Sequence, residues 1–236
     1  MMQRWLTCFS AALFTLAAAS ASTVSGLVQI SSSARKPPAV TDVIVWLESI
    51  ENPAVVRTPQ PRAQMLQKDK MFQPHVLPIE VGTIVAFPNA DPIFHNAFSN
   101  YEGQLFDVSL YPPGTSRSVT FRKPGVVRVF CNIHPSMSAV ILVLKSPYFA
   151  KVSADGSYHI PNVPPGRYEL HFYDERCTGQ HELLHLTLDR DGAPVVAPAL
   201  HISESSFATV PPHKNKFGQD YPKDAGSYSS ETGPPK

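Results

Sequence analysis

Seven consecutive residues, Cys131-Asn132-Ile133-His134-Pro135-Ser136-Met137, place a thiolate, an imidazole and a thioether on one short segment. A second imidazole, His95, lies upstream within Phe94-His95-Asn96. Two imidazoles and one thiolate in a plane, with a weak axial thioether, form a copper site suited to one-electron transfer. Soft sulfur favours Cu(I) and imidazole suits Cu(II), so a site between the two changes oxidation state with little rearrangement. The plainer alternative is a structural cysteine near an unrelated histidine, with Met137 as core filler, since methionine packs irregular gaps.

Other motifs offer less. His181-Glu182-Leu183-Leu184-His185 satisfies the H-E-x-x-H pattern of zinc proteases, which needs a helix to turn both imidazoles the same way. Leu184 to Leu188 instead alternates as a strand and runs toward a turn at Asp191-Gly192. His75, in Phe72-Gln73-Pro74-His75, reads as a strand or turn histidine, with a role near a metal as the alternative. His159, His171, His201 and His213 fall on strands or in the tail and require no function. No Gly-rich phosphate loop and no Ser-His-Asp set is present.

The elements that must position these donors are strands. Twenty-four prolines and 12 glycines punctuate short apolar stretches, which predicts an all-β protein with many turns. Residues 61–145 form one unit. Within it Thr83–Phe87, Ser116–Phe121 and Val126–Phe130 read as strands. Val76–Val81 contains Pro78 and so belongs at an edge or is broken. Ala63–Phe72 reads as an extended entry, and Ala139–Leu144 as a continuous apolar core strand. Cys131 to Ser138 joins two strands, and His95 follows a third, so all four donors can gather at one end of a sandwich.

A second group of strands lies in 23–57 and 146–200: Gly26–Ile30, Val43–Leu47, Tyr158–Ile160, Arg167–Phe172 and Leu184–Leu188. Residues 203–236 are rich in Pro, Gly, Ser and Lys and poor in aliphatics, which predicts a disordered tail.

The first 21 residues read as a secretory signal peptide: Arg4, then a mostly apolar run from Trp5 to Ala19, then Ala19-Ser20-Ala21 as a cleavage pattern. The run is short for a membrane span, and no later stretch of the sequence reads as one. Removing these residues leaves 19 basic against 19 acidic residues, a balance that points away from nucleic acid and anionic membrane surfaces. Cys8 lies inside the signal. Cys131 and Cys177 follow it, and in an oxidising compartment two cysteines invite a disulfide. That pairing would consume the proposed ligand thiolate.

Residues 61–145 resemble the cupredoxins, amicyanin and plastocyanin in particular. Val81-Gly82-Thr83-Ile84-Val85-Ala86-Phe87-Pro88-Asn89 is similar to the strand before the first ligand in that family. His95-Asn96 matches its first copper histidine and following asparagine. Cys131-x2-His134-x2-Met137, with Pro135, has the short ligand loop of amicyanin. The resemblance implies a Greek-key sandwich with His95, Cys131 and His134 in the copper plane, Met137 axial, and His134 as the exposed ligand facing a redox partner. Ile133 stands where amicyanin has proline, so a backbone N–H is available to the Cys131 sulfur; Asn132 also departs. The strands of 23–57 and 146–200 resemble a carboxypeptidase regulatory-like β-sandwich, mainly in Val163-Pro164-Pro165-Gly166-Arg167-Tyr168. The whole resembles exported plastocyanin-like proteins called methylamine utilization proteins.

Three functions follow as expectations. The first is an exported, non-enzymatic copper protein carrying single electrons between periplasmic partners such as a c-type cytochrome or an oxidoreductase. The second is a copper storage, delivery or sensing module with the same ligands. The third is a metal-free β-sandwich binding protein with Cys131 joined to Cys177.

Overall fold

The computed structural model describes residues 20–32, 42–51, 61–100, 103–177, 184–204 and 213–222. Its regular elements are strands, with a single 3-10 residue at Asp42 among the described residues. The all-β expectation therefore holds. The signal-peptide reading and Cys8 fall outside the described residues, as do His181 and Glu182.

One sandwich is built from the two outer stretches of chain. Ser22–Ser32 pairs with Ser157–Val163, Val195–Val196 and Leu200–Glu204. A second sheet runs Phe149–Lys151, Ile44–Ser49, Gly166–Tyr173 and Leu184–Leu188. Val24, Val28, Val45, Leu47, Tyr158, Ile160, Leu170 and Ile202 belong to the apolar core of this sandwich.

The intervening chain forms the other sandwich. Arg62–Gln64, Ile84–Pro88 and Ser116–Thr120 make one sheet. Val76–Glu80, Ser138–Leu144, Gly125–Phe130, Phe98–Ser99 and Phe106–Asp107 make the second, in that order. Val76–Glu80 is an edge strand, which explains why it tolerates Pro78. Phe72, Val85, Phe87, Phe121, Val127, Val129 and Ile141 belong to this core.

The unbroken apolar run in Ser138–Leu144 has a specific cause. Successive side chains of a strand point to opposite faces. Ala139, Ile141 and Val143 enter the core just described. Val140, Leu142 and Leu144 enter a third cluster with Ile44 and Val76, flanked by Trp46, Phe149 and Tyr173. Ile44–Ser49 behaves the same way, with Val45 and Leu47 on one face and Ile44 and Trp46 on the other. The two sandwiches thus share an apolar interface, and a strand buried on both faces loses its alternation.

The polar side of that interface is a three-residue cluster. His75 Nε2 lies 2.7 Å from Glu175 Oε2, and Arg128 donates to Glu175 Oε1 at 2.7 Å. His75 is therefore committed to Glu175 across the interface.

The extended entry at Ala63–Phe72 proves to be more elaborate. Leu66–Lys68 and Met71–Gln73 form a tight hairpin. Its turn residues, Asp69 and Lys70, sit at φ 56° and 55°. Two-residue hairpin turns of this type favour Asn-Gly or Asp-Gly, so Asp-Lys carries no such signal. The Asp91 carboxylate stabilises the turn by accepting from Asp69 N at 2.6 Å and Lys70 N at 2.9 Å.

Candidate metal centre

The ligand loop is the connection of a hairpin. Phe130 pairs with Ser138, leaving Cys131 to Met137 between the strands. Cys131 N donates to Met137 O at 3.2 Å, and Met137 N to His134 O at 3.0 Å, so the loop is folded back on itself. Phe98 pairs with Phe130 on the other side, which brings the preceding loop and His95 alongside. Asn96 joins the two loops: its Oδ1 accepts from Asn132 N at 2.9 Å, and its Nδ2 donates to Asp107 at 2.7 Å.

The result is a buried group. Single ligand atoms of His95, Cys131 and His134 all lie within 4.8 Å of one another. Cys131 Sγ is 3.9 Å from His95 Nδ1 and 3.7 Å from His134 Nδ1. Donors about 2.0–2.3 Å from a common ion, spread around it, stand about 3.5–4 Å apart, which the two sulfur-to-nitrogen distances match. The donor set also fits copper better than hard cations, which prefer oxygen. Met137 is fully buried on the same loop. Among the described residues this is the one group of three or more His, Cys, Asp or Glu side chains that could hold a metal ion.

The surroundings of the two histidines suit ligation. His95 Nε2 lies 2.7 Å from Asp91 Oδ2. With Nε2–H donating to that carboxylate, Nδ1 presents its lone pair toward Cys131. Such a carboxylate partner fixes tautomer and ring orientation and raises ligand basicity. Burial lowers the His95 pKa despite the opposing pull of Asp91. Burial, reinforced by His95, lowers His134 to about 4. Both imidazoles are therefore neutral at neutral pH, the form that binds metal. Burial raises the Cys131 thiol, against the pull of N–H groups from Ile133, Asn96 and His134. The Ile133 N–H that proline would lack does interact with the sulfur.

Cys131 and Cys177 form no disulfide. Cys177 Sγ instead donates to Ser203 O at 3.5 Å. His185, from the H-E-x-x-H match, lies on the strand Leu184–Leu188 opposite Glu169, so its context is not helical.

Two expectations need correction. His134 was expected to be the exposed ligand, but it is 1% exposed and its Nε2 has no hydrogen-bond partner. The disordered tail predicted for 203–236 is also not uniform: Ser203 and Glu204 end the strand Leu200–Glu204, and residues 213–222 pack onto the ligand loop. The His213 ring stacks on Phe130 with centroids 3.9 Å apart, and Tyr221 Oη donates to Cys131 O at 2.8 Å. A low aliphatic content missed this because the anchors are aromatic and polar. Asp91 was missed as well. It lies four residues before His95 in irregular chain, where spacing carries no information about contact.

No family model matches the chain. A 60-residue segment is 37% identical to methylamine utilization protein MauL of Methylorubrum extorquens (strain AM1), covering 25% of this chain and 53% of that protein. The match thus spans about half the length of that curated relative. Among solved structures, the chain is similar to a purple cupredoxin from Nitrosopumilus maritimus, at 26% identity, 35% coverage of this chain and 99% of that one, with a TM-score of 0.33. It is also similar to amicyanin from Paracoccus versutus, at 18% identity, 42% and 97% coverage, and a TM-score of 0.33. A copper-containing nitrite reductase from Thermus scotoductus aligns at 26% identity, covering 50% of this chain and 28% of that one, with a TM-score of 0.35.

Proposed function

We propose that this chain is an exported cupredoxin-type protein that holds one copper ion and carries single electrons. The observation that supports this most directly is the buried His95–Cys131–His134 group, with sulfur-to-nitrogen distances of 3.9 and 3.7 Å. His95 Nδ1, Cys131 Sγ and His134 Nδ1 would hold the ion, and the Met137 thioether would be a further, softer donor. Bound copper would supply a one-electron couple; the protein's part is to keep the donors fixed. Asp91 orients His95, Asn96 ties the two ligand loops together, and the hairpin register closes the third side.

On this reading the protein transforms no substrate. Its partners are redox proteins outside the cytoplasm, of the c-type cytochrome or oxidoreductase class, and residues 1–21 direct export. The second sandwich acts as a rigid support, joined through the apolar interface around Ile44, Val140 and Leu142. No helix among the described residues is long and apolar enough to cross a membrane.

The test is the visible spectrum of the mature chain after addition of Cu(II). The expected result is an intense thiolate-to-copper charge-transfer band that disappears in Cys131→Ala. Absence of that band in the wild type, with both thiols titratable and Cu(I) tightly held, would move the assignment to copper storage or delivery.

A further inference from the structure

The loop that carries Cys131 and His134 is held from outside by a segment more than 75 positions away in sequence. Residues 213–222 touch this loop at three positions and the strand residue before it at a fourth. His213 stacks on Phe130 and its Nε2 donates to Pro135 O at 2.9 Å. Lys216 N donates to Asn132 Oδ1 at 2.9 Å. Tyr221 Oη donates to Cys131 O at 2.8 Å and lies 3.2 Å from His213 Nδ1. Lys216 Nζ adds an ion pair to Asp107 at 2.7 Å, beside the Asn96 tie.

The segment has its own structure. Asn215 Oδ1 accepts from Phe217 N and Gln219 N, and Gly218 closes the turn at φ 75°. Asn215 is buried, whereas Phe217 is 70% exposed. Its inward groups are thus spent on the ligand loop, and its bulkiest apolar side chain faces away. Within the loop it holds, Cys131 and His134 are 0% and 1% exposed.

We propose that residues 213–222 are a strap that locks the Cys131–Pro135 loop shut and controls access to the Cys131 thiol and whatever it binds. Tyr221 and His213 are its positioning residues, and Asn132 is its receptor on the loop. The departure at position 132 then has a role, since its side-chain carbonyl is the acceptor for the strap backbone. The proposal draws its functional meaning from the copper reading, but the geometry it rests on is the protein's own.

The test separates the two. In metal-free, full-length Cys177→Ser protein, the reaction of Cys131 with an aromatic disulfide reagent reports opening of the loop. Removing one such hydrogen bond should accelerate that reaction about tenfold in Tyr221→Phe, and further in Tyr221→Phe/His213→Ala. Phe217→Ala, on the outer face, should leave the rate unchanged. In copper-loaded protein the transfer of metal to an external chelator should accelerate in the same order. An unchanged thiol rate in Tyr221→Phe, with native near-ultraviolet circular dichroism, would overturn the strap. So would equal acceleration by Phe217→Ala. A protein that binds no copper yet shows the expected thiol rates would overturn the metal reading and leave the strap standing.

Discussion

Replacing Asp91 with asparagine tests how the site is organised, because one carboxylate serves two structures. Its Oδ2 accepts from His95 Nε2 at 2.7 Å and from Lys70 N at 2.9 Å, and its Oδ1 accepts from Asp69 N at 2.6 Å. The side chain is 8% exposed, so water cannot readily substitute. Asparagine keeps the shape but turns one acceptor oxygen into an NH2 group. Whichever way the amide faces, donor meets donor, at His95 and Lys70 N in one orientation and at Asp69 N in the other. Hydrogen bonds to a charged group contribute about 1.5–3 kcal/mol each. Losing one to two of them, with some relaxation, predicts a stability loss of about 2–4 kcal/mol for Asp91→Asn. Losing the orienting partner of a ligand histidine typically weakens metal binding about 10- to 100-fold.

The sign of the pH dependence follows from the same contacts. Burial opposes ionisation of Asp91, but hydrogen bonds from Lys70 N, His95 and Asp69 N outweigh it and hold its pKa below the ordinary value of 3.8. The contribution is therefore present above 3.8 and lost as pH falls through the depressed folded value. Urea unfolding of the metal-free protein as a function of pH should show this acid limb in the wild type and a weaker one in Asp91→Asn. Cu(I) affinity is measured by competition with a chromophoric chelator. An affinity equal to that of the wild type would refute the view that Asp91 orients His95.

Further expectations concern single contacts. Ile133→Pro removes an N–H that interacts with the Cys131 sulfur, making the thiolate a stronger donor to oxidised copper. The reduction potential should fall on the order of 40 mV if that bond contributes about 1 kcal/mol, as read by redox titration of the visible band. At the interface, hydrogen bonding to Glu175 raises His75 above 6.5, while hydrogen bonds from His75 and Arg128 outweigh burial and lower Glu175 below 4.5. The His75 contribution is complete below 6.5 and lost as pH rises through the raised value; the Glu175 contribution is complete above 4.5 and lost as pH falls through the lowered one. Melting temperature against pH should therefore fall on the alkaline side in the wild type, and His75→Gln should flatten that limb. Phe121, fully buried and edge-to-face with Phe106 at 5.6 Å, should lose about 3–5 kcal/mol of stability on replacement by alanine in urea denaturation.

What the sequence alone determined is local. The seven residues from Cys131 to Met137 span a single hairpin loop, so their spacing sufficed to bring a thiolate, an imidazole and a thioether together. Alternation and turn residues sufficed to mark most strands, because period-two burial is written in adjacent side chains. Pro78 announced an edge for the same reason: a missing N–H is a property of one residue. The tertiary structure decided everything that joins distant chain. It set Asp91 against both His95 and the Asp69–Lys70 turn, gave His75 to Glu175, and buried both faces of Ser138–Leu144 between two sandwiches. It also laid Tyr221 and His213 over the ligand loop and withdrew His134 from solvent. Those outcomes depend on which groups satisfy buried donors and acceptors across long sequence separations, and no local pattern encodes that choice.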